Sequence, residues 1–165
     1  TDGLRDRGER ETDAKTFLNL CEAREVMRHL KRIDALAARD MADPMHVLVL
    51  APYSAQVSEL ARRVRQERER LPHLEVEVNT VDAAQGREAD VLVFSTVRSN
   101  PRFKMGFVRD LERANVALSR GKYLLTIVGD SSFFEQAGGP LGDVLRYIRQ
   151  HPSTCTVREL SSDGS

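Results

Sequence analysis

Four short segments with strand character, separated by segments with helical periodicity, limit what this chain can fold into. The strand-like segments are residues 46–51, 75–80, 90–97 and 123–128, in which apolar residues either run continuously or alternate with polar ones. Apolar residues at steps of three and four in the intervening segments predict amphipathic helices. Because strands that alternate with helices usually pair in parallel, the sequence predicts an α/β fold with a mainly parallel sheet and helices on both faces.

Several element boundaries follow from local sequence signals. The first predicted helix begins at Leu20 and ends near Ala42. Ser54 and Ser131 are the predicted N-caps of two later helices, because a serine hydroxyl can accept a hydrogen bond from a free backbone N–H of the first turn. Residues 154–160 predict a last edge strand.

Length and composition indicate one globular domain. The chain has 165 residues, of which 41% are hydrophobic and 30% charged. Lys and Arg number 25, as do Asp and Glu, so the net charge of zero argues against a polycationic binder but leaves a local basic surface open. The sequence predicts a flexible or extended arm over 1–15, a folded domain over 16–160 and a disordered tail over 161–165.

Several classes of site are excluded at the sequence level. No apolar stretch approaches the roughly 20 residues of a membrane span, so we expect no membrane partner. Cys21 and Cys155 lack metal-binding spacing and are expected to be free thiols in a reducing, cytoplasmic compartment. The four histidines are scattered, so no metal site is predicted. The chain has no Walker A phosphate loop, no GxGxxG pattern after a strand and no GxSxG nucleophile pattern.

Three polar segments next to the predicted strands are candidate ligand sites, because ligands of parallel sheets bind at the carboxyl ends of strands. Between the second and third strands, Gly86 permits a close backbone approach or a positive φ, while Gln85, Arg87 and Glu88 offer donors, a cation and a carboxylate. A solvated turn would have the same composition.

The segment after the first buried strand is the second candidate. Its polar residues Tyr53, Ser54 and Gln56 are placed where a ligand could reach them. A helix cap with a packed tyrosine explains the same residues without a ligand.

The third candidate is a helix predicted over 110–119. At about 100° per residue, its core face would carry Leu111, Ala114 and Leu118, and its opposite face Arg109, Arg113, Ala117 and Arg120. Such a cationic ridge could hold phosphate oxygens. A solvent-exposed face paired locally with Asp110 and Glu112 is the alternative.

Taken together and in order, these segments resemble motifs of superfamily-one helicases of the Upf-like branch. Residues 51–56 resemble motif IV, 81–98 motif V and 113–122 motif VI, while 16–23 resemble the approach to the second RecA-like domain of that family. The resemblance covers about residues 14–130 and implies a RecA-like three-layer fold.

The resemblance also implies roles for individual residues. Arg120 would be the arginine finger on the γ-phosphate of ATP, and Arg113 would support the same helix face. The residues expected to line the nucleotide cleft are Gln85, Gly86, Glu88, Gln56 and Tyr53. The residues expected to hold single-stranded nucleic acid, or to couple the two sites, are Thr80, Ser95, Arg98 and Asn100.

Two positions depart from the family pattern. Many relatives carry threonine at the position of Ala51, so one contact to a backbone phosphate is expected to be missing. Some carry a second catalytic arginine at the position of Val57, which would leave Arg120 as the motif-borne finger.

The resemblance further implies that this chain is a C-terminal fragment of an ATP-dependent helicase or translocase. ATP and Mg²⁺ would be held mainly by a first RecA-like domain, whose motifs are absent here, so the fragment alone is expected to be inactive. A degenerate RecA-like module that binds nucleic acid or protein without ATPase activity is the alternative. The intact Arg120, Gln85 and Glu88 favour the enzyme, while the choice between DNA and RNA stays open.

Overall fold

A parallel four-stranded sheet lies between two layers of helices in the computed structural model, which describes residues 8–41 and 43–159. The strands are β1 (Arg10–Glu11), β2 (Phe17–Leu18), β3 (Met45–Ala51), β4 (Leu74–Thr80), β5 (Ala89–Ser95) and β6 (Gly121–Val128). The helices are α1 (Leu20–Asp40), α2 (Ser54–Gln66), α3 (Leu111–Leu118), α4 (Ser131–Ala137) and α5 (Gly139–Gln150). Short 3-10 turns span Arg68–Arg70 and Gly106–Arg109.

The main sheet has the strand order β4-β3-β5-β6, and all its pairs are parallel. Strands β1 and β2 form a separate antiparallel hairpin just before α1. Strand β6 lies at one edge, and its first half is poorly covered, so that Tyr123 is 81% exposed.

Side chains of the two central strands divide the core into two parts, because successive residues of a strand point to opposite faces. Val47 and Val49 of β3 pack in the part of the core that contains buried residues of α1 and α2. Leu48 and Leu50 pack in the other part, with buried residues of α3, α4 and α5. The predicted α/β fold with helices on both faces is therefore confirmed.

The connection between β4 and β5 has no helix. Since the two strands are parallel, residues 81–88 must return from the carboxyl end of β4 to the amino end of β5. Val81 and Ala84 are buried in the same part of the core as Leu48, so this connection packs on the face that α3 also covers.

Three local predictions are wrong. The N-cap of α2 is Tyr53, without a side-chain hydrogen bond, and Ser54 is already the first helical residue. The N-cap of α4 is Asp130, whose carboxylate accepts from the N–H of Phe133, so Ser131 does not cap it. Within the described part of 154–160, residues 154–159 form no strand.

The predicted phase of α3 is also wrong. Leu111, assigned to the core face, is 58% exposed at the first helical position, whereas Ala117, assigned to the cationic face, is 0% exposed. Ala114 is buried as expected and Leu118 is partly buried. Arg109 lies in the preceding 3-10 turn, so the arginines do not form one continuous helical ridge.

Two predictions on chain ends involve residues that the structure does not describe. Residues 1–7 of the predicted arm and the whole predicted tail, 161–165, lie outside the described residues. Within 8–41 and 43–159, no helix has the length and apolar character needed to cross a bilayer.

The corrected phase of α3 predicts opposite outcomes for two substitutions. Ala117→Asp should lower the free energy of unfolding by on the order of 3 kcal/mol or more, because it buries an unpaired carboxylate. Leu111→Asp should change it by less than about 0.5 kcal/mol, because the new carboxylate would be exposed at a helix N-terminus. Urea denaturation of both variants measures the difference, and equal destabilisation would contradict the observed packing.

Candidate functional site

The structure places the candidate residues at opposite ends of the same sheet. Tyr53, Thr80 and Ser95 lie at the carboxyl ends of β3, β4 and β5, as expected. Glu88 and Arg120 immediately precede β5 and β6 and therefore lie at the amino ends. These two residues are therefore separated from the carboxyl edge by the length of the strands.

Arg120 sits where α3 ends and β6 begins. Its Nε donates to the carbonyl oxygen of Val116, 3.0 Å away, one of the carbonyls left free in the last turn of α3. Its own carbonyl accepts from the N–H of Ala89 at 3.0 Å, which fixes the backbone beside Glu88. The terminal nitrogens of its guanidinium make no hydrogen bond within 8–41 and 43–159, so they are available to a ligand at the amino edge.

A recess of about 180 Å³ separates the β4–β5 connection from α3. Its walls are formed by Val81, Asp82, Gln85, Glu112, Arg113 and Val116. The structure thus brings together Gln85 and Arg113, which are far apart in the sequence. Gly86 and Glu88 are exposed beside this recess. A Cβ at Gly86 would meet no atom within 4 Å, so it is the φ of +81°, and not lack of space, that requires glycine at this position.

Arg113 also lines a second, wider recess of about 450 Å³. The other lining residues are Gly106, Phe107, Arg109 and Asp110. The Arg113 guanidinium carbon lies 4.7 Å from the centre of the Phe107 ring, and its Nε lies 3.9 Å from the Asp110 carboxylate. Arg113 therefore presents a cation between two recesses, although Arg109 reaches this surface from the 3-10 turn rather than from the helix.

The side chains of Gln56 and Ser95 face the interior. Both residues are 0% exposed. The Gln56 amide donates to Ser95 Oγ at 3.0 Å and to the carbonyl of Asn19 at 3.1 Å, and its oxygen accepts from the Asn19 N–H at 2.9 Å. Gln56 thus ties the start of α1 to the end of β5, and neither side chain is open to a nucleotide or a nucleic acid in this structure.

A buried carboxylate, that of Glu22 in α1, is the centre of this hydrogen-bond network. It accepts from Ser95 Oγ at 2.7 Å, Thr96 Oγ at 3.2 Å and the Val97 N–H at 2.8 Å. Burial raises the pKa of Glu22 to about 7, although the hydrogen bonds from Val97, Ser95 and Thr96 act to lower it. The carboxylate therefore takes up a proton near neutral pH.

The network holds a strained turn. Val97 has a φ of +68°, which a β-branched residue adopts only when its surroundings impose it. Its N–H donates to Glu22 and its carbonyl accepts from the Asn19 side chain at 3.3 Å. Glu22 and Asn19 thereby compensate for the strain and direct the chain that follows β5.

Arg98 is enclosed by protein groups. Its Nε and one terminal nitrogen donate to the Lys104 carbonyl at 3.0 and 2.6 Å, and its other terminal nitrogen lies 3.2 Å from Glu9. Its guanidinium carbon lies 4.2 Å from the Phe17 ring centre and 5.9 Å from that of Tyr53. With only 6% of its side chain exposed, Arg98 organises this edge rather than offering a free cation.

The remaining predicted residues also have local partners. Tyr53 is half-buried, and its hydroxyl accepts from the Phe107 N–H at 3.3 Å. Thr80 Oγ accepts from the N–H of Ala83 at 3.2 Å and so shapes the start of the β4–β5 connection. Asn100 exchanges hydrogen bonds of 3.0 Å with the backbone N–H and carbonyl of Lys104.

Sequence reasoning missed Asn19, Glu22 and Glu9. Asn19 accepts from the Glu22 N–H through its side chain, the Asn-x-x-Glu pattern of a helix start. That pattern predicts a helix N-terminus but not the buried contacts of Glu22 with residues far along the chain. Among the described residues, no group of three His, Cys, Asp or Glu side chains could hold a metal ion.

Comparison with known proteins identifies the family of this chain. A family model described as an AAA domain matches residues 2–132. DNA polymerase alpha-associated DNA helicase A of Saccharomyces cerevisiae is 41% identical over 107 residues, 65% of this chain and 14% of that protein. ATP-dependent helicase NAM7 of the same yeast is 35% identical over 126 residues, 75% and 13% respectively.

A third relative is the regulator of nonsense transcripts 1 homolog of Neurospora crassa, 38% identical over 117 residues, 70% of this chain and 10% of that protein. The chain thus spans between 10% and 14% of the length of these three relatives. The resemblance to Upf-like superfamily-one helicases and the expected RecA-like fold are confirmed.

The raised pKa of Glu22 predicts a specific pH dependence of stability. An acid whose folded-state pKa exceeds its unfolded value stabilises the fold fully below the unfolded pKa, and this contribution is lost as pH rises through the folded pKa. From a pKa of 4.5 to one of about 7, the loss is on the order of 3 kcal/mol. The glutamine of Glu22→Gln cannot lose a proton. Between pH 4.5 and 7.5, the free energy of unfolding of this variant should therefore rise by that amount relative to the wild type.

Urea denaturation of both proteins across this pH range measures the difference, and Glu25→Gln, which removes the ion pair of another α1 glutamate with the exposed Arg28, is the control. A wild-type-minus-variant difference that stays constant with pH would contradict the predicted titration of Glu22.

Proposed function

Because the chain belongs to the AAA-domain family that matches residues 2–132, we propose that it is the second motor domain of an ATP-dependent helicase or translocase. The observation that carries this proposal is the recess shared by Gln85 and Arg113, with Arg120 at the end of the same helix. An amide, two guanidinium groups and a positive-φ glycine suit the phosphates of a nucleotide.

The nucleotide would lie between this surface, which extends from the recess along α3 to Arg120, and a first RecA-like domain, which would hold Mg²⁺ and most of the ATP. When bound, ATP supplies the phosphoryl group whose transfer to water drives the motor. Arg120 would donate through its free terminal nitrogens to charge that develops on the γ-phosphate, which is worth about 10³ to 10⁵ in rate in related chemistry. Arg113 and Gln85 would bind and orient the nucleotide from the facing wall, and Glu88 would contact it from the rim.

Single-stranded nucleic acid would cross the carboxyl edge. Thr80, Ser95, Arg98 and Asn100 all lie at this edge, where Thr80, Arg98 and Asn100 bind backbone groups and Ser95 binds the side chains of Glu22 and Gln56. We assign Ser95 and Arg98 a coupling role, because their side chains are buried. The strand would therefore lie at the opposite end of the sheet from Arg120, and rotation of the domain relative to the first RecA-like domain would move the strand.

Partners and location follow from this function. The proposed partners are single-stranded DNA or RNA and the first RecA-like domain of the same polypeptide, whose closure would complete the nucleotide site. Since both ATP and nucleic acid are available inside cells, we place the parent protein in the cytoplasm.

The arginine-finger assignment predicts a selective loss. In the full-length parent, Arg120→Ala should lower nucleic-acid-stimulated ATP turnover at least about 10³-fold, because charge on the transferred phosphoryl group loses its donor. Affinity for single-stranded nucleic acid should stay within about twofold, since Arg120 lies at the other end of the sheet. Steady-state ATPase assays and fluorescence anisotropy provide the two measurements.

Arg146→Ala is the matched control, because Arg146 is an exposed arginine of α5 that pairs only with Asp143. Turnover of Arg120→Ala within about twofold of the wild type would contradict the finger assignment. A wild-type parent without turnover under any condition would instead favour a binding module that lacks ATPase activity.

A further inference from the structure

The loop between β5 and the 3-10 turn at Gly106–Arg109 presents an aromatic ring between two cations. Arg102, Phe103 and Lys104 are consecutive and exposed, and Phe103 is 42% exposed despite its size. Within 8–41 and 43–159, neither Arg102 nor Lys104 forms an ion pair. A surface of this composition is not explained by the packing of the domain.

The backbone of this loop is fixed from inside. The carbonyl of Lys104 accepts from Arg98 Nε at 3.0 Å, from an Arg98 terminal nitrogen at 2.6 Å and from Asn100 Nδ2 at 3.0 Å. The Lys104 N–H donates to Asn100 Oδ1 at 3.0 Å, and the Phe103 N–H to the Asn100 carbonyl at 3.1 Å. The loop is thus held in one conformation by two residues that are themselves anchored to the sheet edge.

The Phe103 ring stacks on a buried aromatic ring and stays 42% exposed. Its centre lies 6.0 Å from that of Phe133 with the planes 25° apart, and Phe133 in turn packs edge-on against Phe134 at 5.0 Å. Phe133 and Phe134 are both buried, so the stack rises from the core. Phe103 itself has a φ of +51°, a conformation that an aromatic residue adopts only under constraint. The constrained backbone keeps a large apolar ring partly in water.

The loop lies at the carboxyl edge of the sheet. It follows β5 directly, and Phe133 belongs to α4, which begins immediately after β6. An exposed aromatic ring flanked by cations is typical of surfaces that bind single-stranded nucleic acid. Any base can stack on the ring through its π-face, and the phosphate of each nucleotide can pair with a cation. An acidic peptide would use the cations but would leave the ring without a planar partner.

We propose that Arg102, Phe103 and Lys104 form a contact site for single-stranded nucleic acid, in which a base stacks on the free face of Phe103 and the flanking phosphates pair with the two cations. This site rests on the proposed function and adds to it the groups that meet the strand. The predicted edge residues Arg98 and Asn100 then act as the support of the loop.

The test uses the full-length parent and a fluorescent single-stranded oligonucleotide, with the dissociation constant measured by anisotropy. Phe103→Ala should weaken binding about five- to a hundredfold, Phe103→Leu nearly as much, and Phe103→Tyr little. Leucine preserves the apolar contact with Phe133, so Phe103→Leu distinguishes a loss of base stacking from a loss of folding. Arg102→Ala and Lys104→Ala should each reduce the slope of log affinity against log salt by about 0.7.

A strand with abasic sites isolates the stacking contribution. Phe103→Ala should bind an abasic strand as tightly as the wild type does, whereas Arg102→Ala and Lys104→Ala should still bind it more weakly. Tyr147→Ala is the matched control, because Tyr147 is an aromatic residue beside Arg146 on helix α5. Its side chain is 57% exposed and stacks on His151. The affinity of this variant should equal that of the wild type.

The outcomes separate this site from the proposed function. A wild-type parent that binds no single strand contradicts the proposed function itself. A wild type that binds, with Phe103→Ala and Phe103→Leu equally tight, overturns the stacking site while leaving the motor assignment in place. An equal loss for Phe103→Ala on intact and abasic strands would also overturn it, because the ring would then act without a base.

Discussion

The carboxylate of Glu22 is the group on which the carboxyl edge of this domain depends. It is buried between α1 and β5, and it collects donors from Ser95, Thr96 and the Val97 backbone. A carboxylate that leaves water loses a large solvation energy, and these hydrogen bonds compensate for only part of that loss, since the pKa of Glu22 is still raised to about 7. In return, it stabilises the left-handed conformation of Val97, from which the chain leaves the sheet toward Arg98.

A second carboxylate continues this support outward. Glu9, just before the small hairpin, lies 3.2 Å from the Arg98 guanidinium and accepts from the Ser99 N–H at 2.9 Å. Arg98 then fixes the Lys104 carbonyl, and so the exposed loop is anchored through an unbroken series of contacts to the core. Residues that precede the sheet in sequence therefore determine the shape of its ligand-facing edge.

The fold was predictable from sequence because it depends on local periodicity. The four predicted strands of the main sheet begin and end within a few residues of their observed bounds, since a fully buried strand such as β3 needs a continuous apolar run. The phase of α3 was not predictable, because the larger apolar residue was expected in the core and the smaller one was not. Leucine at position 111 begins the helix in solvent, while the small Ala117 fits where the helix lies close to the sheet.

The site was only partly predictable, for reasons of distance along the chain. Gln56 follows a strand and is polar, so it was expected at the surface, but its partners Asn19 and Ser95 are 37 and 39 residues away. The separation of Arg120 from Ser95 required knowledge of the topology, because the crossover through α3 returns the chain from the carboxyl end of β5 to the amino end of β6. By contrast, Gln85 and Arg113, which come from two separate candidate segments, line one recess.

Residues 81–88 are the covalent link between the two edges. They begin directly after Thr80 and end at Glu88, so this one segment borders both proposed ligands. Thermodynamic linkage then requires symmetry: whatever factor a bound strand contributes to nucleotide affinity, the nucleotide must contribute the same factor to strand affinity. A change in this segment that weakens one effect must weaken the other equally.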